Sequence, residues 1–442
     1  MTTKINNEHN KLNFSSEREQ SQACLNSAEH EKNQGRKVLN VPILRFPEFQ
    51  GEWEKCILGD ITENFNLRNK DKIQYPMFSV TNDRGFIPQS EQFEGRDMVG
   101  EDIKAYKIIH SNDFAYNPAR INVGSIAMYT GEKPCMISSL YVCFKTTKKV
   151  NNEWLMQLLK TPKMNYYYNV NGEGGVRVYL FYPNFARIRM FIPKIEEQKK
   201  IAKLLNLIDE RIATQNKIIE DLKKLKSAIV EKVFCSPNQE YPMCRIEGFE
   251  QALSTYKMSD FSSRIATKNK DSKCSLVLTI AAQYGLVNQE SFFNKSVASE
   301  NLTGYYLLHK GEFAYNRSYS AGYDWGAVKR LDNYDEGVLS TLYICFKINE
   351  TIVDSDYLAY YFESTKWHRG LSDIAGEGAR NHGLLNVSIT DYFNTKHRFP
   401  VIEEQKAIAK MLNTITEKER KATLLGECYQ KQKQYLLRQM FI

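Results

Sequence analysis

From about residue 195 the apolar positions fall into a helical stripe, reached by alternating steps of four and three: Ile201, Leu205, Ile208, Ile212, Ile219, Leu222, Ile229 and Val233. Gln215 and Lys226 are the two polar interruptions. Such a stripe is a coiled-coil seam. It predicts one helix from about Ile195 to Phe234, stopped by Ser236-Pro237-Asn238. A second stripe follows at an offset of 207 residues: Ile408, Leu412, Ile415, Glu419, Ala422, Gly426, Tyr429, Lys433, Leu436 and Met440. It is the weaker of the two. A glycine such as Gly426 costs a helix interior about 1 kcal/mol against alanine, so this helix is expected to need its partner. Both helices open on one motif, Ile192-Pro193-Lys194-Ile195-Glu196-Glu197-Gln198 and Phe399-Pro400-Val401-Ile402-Glu403-Glu404-Gln405. Proline suits a first turn, and carboxylates there face the positive end of the helix dipole.

Ahead of each helix the pattern changes to short alternating apolar runs broken by turn residues. Val41-Pro42 through Phe46 is answered by Tyr241-Pro242 through Ile246, Phe78-Ser79-Val80-Thr81 by Leu278-Thr279-Ile280-Ala281, and Gly85 by Gly285, all at an offset of 200. Phe114-Ala115-Tyr116-Asn117 is answered by Phe313-Ala314-Tyr315-Asn316, and Ser138 to Lys145 by Ser340 to Lys347. Gly172-Glu173-Gly174 is answered by Gly376-Glu377-Gly378. The offset drifts by a few residues between matched runs, as loop insertions would make it. A repeat of this length indicates a tandem duplication. The expected fold is α/β (α+β): two similar heads from internal duplication, joined by two long antiparallel coiled-coil helices. The expected segments are a disordered polar tail at 1–40, a head at 41–191, a helix at 192–236, a second head at 237–398 and a helix at 399–442. Strands are expected over 124–129 and 138–144, and short helices over 154–160 and 356–362.

Composition narrows the class. The 442 residues carry 60 Lys and Arg against 52 Asp and Glu, a net charge of +8. That suits a polyanionic partner, although an ordinary basic protein has the same balance. Nine cysteines with no Cys-x-x-Cys pair, and no export signal at the N-terminus, point to reduced thiols in the cytoplasm. No apolar run is long enough to span a bilayer.

Catalytic motifs are missing. The sequence has no Gly-x-x-x-x-Gly-Lys-Ser/Thr loop and no His-Glu-x-x-His, and its seven histidines are scattered. Asn117-Pro118 lacks the second proline and aromatic of an amino-methyltransferase motif. Gly172-Glu173-Gly174-Gly175 reads as a turn rather than a dinucleotide loop. No catalytic residue and no metal ligand is assigned. The remaining chemistry fits nucleic acid. Asn117, Arg120 and Asn122 follow one matched strand, and Asn316, Arg317, Ser318 and Ser320 the other. Arg177 and Tyr179 lie beside the first glycine turn, and Arg380, Asn381 and His382 beside the second. Arginine can pair with guanine O6 and N7, and Asn or Gln with adenine N6 and N7; Ser and backbone amides hold phosphates. Solvated loop polarity is the competing reading of any one of them. Tyr166-Tyr167-Tyr168 is read as packing a sheet edge, with base stacking the alternative.

The Pro-x-x-Glu-Glu-Gln-x-x-Ile-Ala opening of a long helix, present twice, resembles the specificity subunit of type I restriction–modification enzymes. So does the entry Val41-Pro42 through Phe46-Pro47-Glu48-Phe49-x-Gly51-x-Trp53. The resemblance covers about residues 41 to 442. It implies two target-recognition domains, a bipartite double-stranded DNA target, and a spacer set by helix length. It also implies a complex with two methylation subunits and with restriction subunits, and no catalysis by the chain itself. S-adenosylmethionine, ATP and Mg are implied for those partners and no cofactor for this chain. Methylation-subunit contacts are implied on the helices, where Pro193, Glu196, Glu197, Gln198, Pro400, Glu403, Glu404 and Gln405 match the motif. Two other readings stay open: a non-catalytic coiled-coil scaffold, and the recognition module of a single-chain DNA methyltransferase or nuclease.

Overall fold

The computed structural model describes residues 39–92, 103–174, 178–295, 301–318, 322–374, 385 and 387–442. The polar tail lies outside them except for its last two residues. The chain forms two compact units, one of 1–207 with 432–442 and one of 208–431. Their limits therefore fall inside both long helices, Ile195–Val233 and Ile402–Gln439.

The first unit is built on a four-stranded antiparallel sheet in the order Thr62–Phe65, Val142–Thr146, Phe114–Tyr116, Ile126–Met128. Three two-stranded ribbons surround it: Glu54–Ile57 with Arg189–Ile192, Phe78–Val80 with Phe86–Pro88, and Lys107–Ile109 with Cys135–Ile137. The helix Asn152–Leu159 starts where the Asn151 side chain accepts from the Trp154 amide. The next, Pro162–Asn171, starts where Thr161 accepts from the Met164 amide. Both are ordinary N-caps. These helices bury Trp154, Leu155, Met164 and Tyr168 against Phe114 and Phe144 of the sheet and Phe185 of the short helix Tyr182–Ala186. The core is completed by the end of the second long helix, where Leu437, Met440 and Phe441 are buried and Phe441 lies 5.9 Å from Trp154.

The second unit repeats the plan. Its sheet runs Ser262–Arg264, Ile344–Ile348, Phe313–Asn316, Ala327–Arg330, the same order with the same antiparallel pairing. Its ribbons are Ser254–Lys257 with Lys396–Phe399, Leu278–Ala281 with Gly285–Asn288, and Tyr306–His309 with Glu336–Leu339. Here the end of the first long helix closes the core: Phe234 packs edge-on against Tyr357 and Tyr361, at 5.0 and 5.7 Å. The duplication reaches single backbone bonds. In one unit the Leu44 amide donates to the Gln439 carbonyl at 2.9 Å, and in the other the Cys244 amide donates to the Lys232 carbonyl at 2.9 Å.

Within the second unit the long helices run antiparallel. Gln215 Nε2 donates to the Ala422 carbonyl at 3.0 Å, and Lys226 faces Glu419 at 3.5 Å. The polar breaks Gln215, Lys226 and Glu419 thus meet each other or a backbone carbonyl, which is how buried polar residues fix register in a coiled coil.

Two expectations are corrected. Residues 138–141 form a turn, closed by the Tyr141 amide on the Ser138 carbonyl, and the strand begins only at Val142. The apolar position that suggested strand, Leu140, is 78% exposed. Tyr166-Tyr167-Tyr168 are helical rather than on a sheet edge. Helical geometry buries Tyr168, whose hydroxyl donates to the Leu159 carbonyl at 2.8 Å, and turns Tyr166 outward.

Candidate nucleic-acid interface

The strand Phe114–Tyr116 is fully buried and ends at Asn117. There the chain turns sharply, since Asn117 Oδ1 accepts from the Ala119 amide at 3.0 Å and the Asn117 carbonyl accepts from the Arg120 amide. A short 3-10 turn, Ile121–Val123, leads to Gly124 at φ +102°. A Cβ at Gly124 would stand 2.9 Å from the Asn82 carbonyl oxygen, so glycine is required for the close approach. Ser125 Oγ then donates to the Val80 carbonyl at 2.7 Å. On its other side the loop is held by the Leu180 amide on the Pro118 carbonyl and by Asn122 Nδ2 on Asn169 Oδ1. Three segments therefore converge: the turn 81–85, the loop 117–124 and the stretch 179–181. They bring together Asn117, Arg120, Asn122 and Tyr179. Arg120 is exposed, and Tyr179 is half exposed with its ring stacked on Phe181 at 6.3 Å. The Gly172–Gly175 turn is seen as far as Gly174, where Glu173 and Tyr179 exchange backbone hydrogen bonds. Gly175 and Arg177 lie outside the described residues.

The second head repeats the corner with other side chains. Asn316 Oδ1 accepts from the Ser318 amide at 3.0 Å, and the Arg317 carbonyl accepts from the Leu385 amide at 2.9 Å. The Arg317 guanidinium donates to the carbonyls of Leu342 and Val387, at 3.1 to 3.2 Å. That side chain braces its own loops. Tyr323 hydroxyl donates to the Ala282 carbonyl at 3.2 Å, tying this loop to the 281–285 turn. Ser320, Arg380, Asn381 and His382 lie outside the described residues.

Reading the sequence alone passed over the tips of the two ribbons. The turn 81–85 is closed by the Thr81 amide on the Gly85 carbonyl, and it exposes Asn82, Asp83 and Arg84. Its counterpart is closed by the Tyr284 amide on the Ala281 carbonyl, and it exposes Gln283 and Tyr284. The match of Gly85 to Gly285 marked both turns, and the unlike residues just before each glycine were the available signal.

The helix motif is half buried in hydrogen bonds to its own head. Glu197 accepts from Arg45 Nε and Nη2, both at 2.7 Å, and from Trp53 Nε1 at 3.2 Å. Gln198 accepts from the Asn151 amide and donates to the carbonyls of Lys149 and Pro193. Glu404 meets Arg245 at 2.9 and 2.7 Å, and Gln405 bonds the Asp354 amide and the carbonyls of Ile352 and Pro400. These four side chains are 1% exposed and fasten each helix start to its own head. Of the motif carboxylates only Glu196 and Glu403 face solvent.

Among the described residues no group of three His, Cys, Asp or Glu side chains is placed to hold a metal ion, and no helix is long and apolar enough to cross a membrane. Burial pushes the Cys143 and Cys345 thiols up to about 12, so neither is a nucleophile at neutral pH.

Residues 50–224 match the family model for the type I restriction modification DNA specificity domain. Two proteins of Methanocaldococcus jannaschii align with most of the chain. One, named as the MjaX type I restriction enzyme specificity subunit, is 23% identical over 397 residues, 84% of this chain and 88% of the relative. The other, the MjaVIII specificity subunit, is 24% identical over 398 residues, 84% of this chain and 87% of the relative. Among solved structures, the S subunit of a type I restriction–modification system from M. genitalium superimposes with a TM-score of 0.53 at 13% identity, covering 91% of this chain and 99% of that one. A chain from a structure of type I restriction–modification complex assembly gives 0.51 at 13% identity, covering 87% and 96%. The structural likeness speaks for the fold, and the sequence matches speak for descent. Together they make the chain similar, in sequence and in fold, to specificity subunits of type I restriction–modification enzymes, with the DNA specificity domain matched over residues 50–224.

Proposed function

We propose that this chain chooses the DNA sites at which a type I restriction–modification complex acts, and that each head reads one half of a bipartite target. The observation that carries this is the pairing of one repeated framework with unlike loops. The sheet order, the corner after the matched strand and the helix joints recur, whereas Arg120 and Asn122 stand in one corner and Arg317 and Ser318 in the other. Two copies of one scaffold with different loop residues suit a target of two unlike halves. The side chains fit the work: exposed Arg120 for a base edge, and turn amides for phosphates.

The two long helices set the number of base pairs between the halves. A helix of 39 residues is on the order of 58 Å at about 1.5 Å per residue, or about 1.7 turns of duplex at about 34 Å per turn. Exposed helix faces, including Glu196 and Glu403, carry the contacts to two methylation subunits. Those subunits supply S-adenosylmethionine chemistry, and the restriction subunits supply ATP- and Mg-dependent cleavage. The chain brings recognition alone and works in the cytoplasm.

Methylome sequencing of a host given this chain with its partner subunits tests the reading. The expected result is adenine methylation at one bipartite motif with two unlike halves and a fixed gap. Methylation without sequence preference, or at a single continuous site, would overturn it. The same assay with the purified chain and labelled S-adenosylmethionine, but no partners, is expected to give no transfer.

A further inference from the structure

We infer that the two ribbon tips are base-reading elements, with Arg84 selecting guanine in one half-site and Gln283 selecting adenine in the other; this rests on the DNA-recognition reading above. Each ribbon is a pair of antiparallel strands, Phe78–Val80 with Phe86–Pro88 and Leu278–Ala281 with Gly285–Asn288. A two-stranded ribbon is one of the two protein shapes that the DNA major groove admits. Each is seated in its head on both faces: Ser79, Val80 and Ile87 are buried in the first, and Leu278, Thr279, Ile280, Ala281 and Leu286 in the second. The Phe86 ring meets Tyr129 edge-on at 5.2 Å. The strands are therefore rigid and the tips are the part left free to project.

The tips do not stand alone. The first is locked to the 117–124 loop through Gly124 against the Asn82 carbonyl and Ser125 against Val80. The second is locked to its loop through Tyr323 and Ala282. In each head two separate chain segments thus face outward from one fixed corner. An arginine there can donate two hydrogen bonds to guanine O6 and N7, and a glutamine can pair with adenine N6 and N7. The second head needs such an element more than the first, because its loop arginine, Arg317, is engaged with the Leu342 and Val387 carbonyls. Matched turns that carry unlike donors are what two unlike half-sites require.

The test uses the full chain assembled with its methylation subunits, and selects from a randomised duplex library at several salt concentrations. The wild-type complex is expected to return a bipartite motif. Arg84→Ala is expected to lose about tenfold or more in preference for one guanine in one half-site and leave the other half unchanged, since a bidentate base contact discriminates on that scale. Gln283→Ala is expected to relax one adenine in the opposite half. Arg84→Gln is expected to move the preferred base from guanine to adenine at the same position. An unchanged motif in all three variants would overturn the inference while leaving the DNA-recognition reading intact. Uniform weakening across sequences, with a shallower salt dependence, would also overturn it, because that marks a phosphate contact. A wild-type complex with no sequence preference would remove the functional reading itself.

Discussion

Arg45 and Glu197 are 152 residues apart in sequence, yet they form a two-bond ion pair in the first unit. The Glu197 carboxylate takes two bonds from the guanidinium and one from Trp53, so it is satisfied without water. Removing one partner of a buried pair strands the other. Arg45→Ala should destabilise the first unit by about 3 kcal/mol, with urea unfolding as the measure. The low end of that range applies because the Arg45 side chain is 16% exposed. The motif was legible from the sequence as a helix opening. That Glu197 turns inward while Glu196 stays out was not, because the partner that decides it comes from far along the chain.

His397 makes a second residue-scale case. Thr395 Oγ1 donates its one proton to the Tyr392 carbonyl, so it accepts from His397 Nε2, and Nδ1 accepts from the Tyr361 hydroxyl. Burial pushes the imidazole from 6.5 down to about 3. The unfolded chain binds that proton below about pH 6.5 and the folded one does not, so stability falls as pH drops through this window, by up to about 1.4 kcal/mol per pH unit. At the matched position the first head has Met190. His397→Met should weaken the second unit at pH 7 by losing two hydrogen bonds. The gap to wild type should narrow steadily toward pH 4; a constant gap would show that the histidine is not held neutral.

At the scale of elements, the stripes identified both long helices because period and length were unambiguous. Less visible was how their flaws cooperate. Gly426 looks like a weak point, and in the structure it lies against Gln215 and Ile219. A Cβ there would sit 3.5 Å from Gln215 Cγ and 3.7 Å from Ile219 Cδ1, ordinary packing distances. Gly426→Ala should therefore raise the stability of the second unit by up to about 1 kcal/mol, read as a higher melting temperature. A lower one would mean that the helices cannot accept a methyl group at the seam. The two elements misread from sequence failed for local reasons. Ser138 to Phe144 alternates like a strand, but its first four residues close a turn through Ser138 and Tyr141. The three tyrosines favour strands by type, while Thr161-Pro162 ahead of them is a helix start. The ribbon tips were hidden because a turn of exposed polar residues carries no period.

For the whole molecule, the duplication was plain in the offsets, but the closure of each core was not. Each unit takes the start of one long helix and the end of the other. Phe441→Ala should cost the first unit about 3 kcal/mol, the usual range for a buried aromatic, and leave the second unit unchanged. Hydrogen exchange resolved along the chain would separate the two. Equal loss of protection in both would show that they unfold together.

The paired bonds from Leu44 to Gln439 and from Cys244 to Lys232 have a topological consequence. In one unit a continuous linker joins the bonded segments, and in the other the same geometry is held with no peptide connection between them. Which segment is read first is then immaterial to the contacts within either unit. A gene rearranged to join residue 442 to residue 39 by a short polar bridge, and to begin inside 236–243, should encode a protein that folds and directs methylation to the unaltered motif.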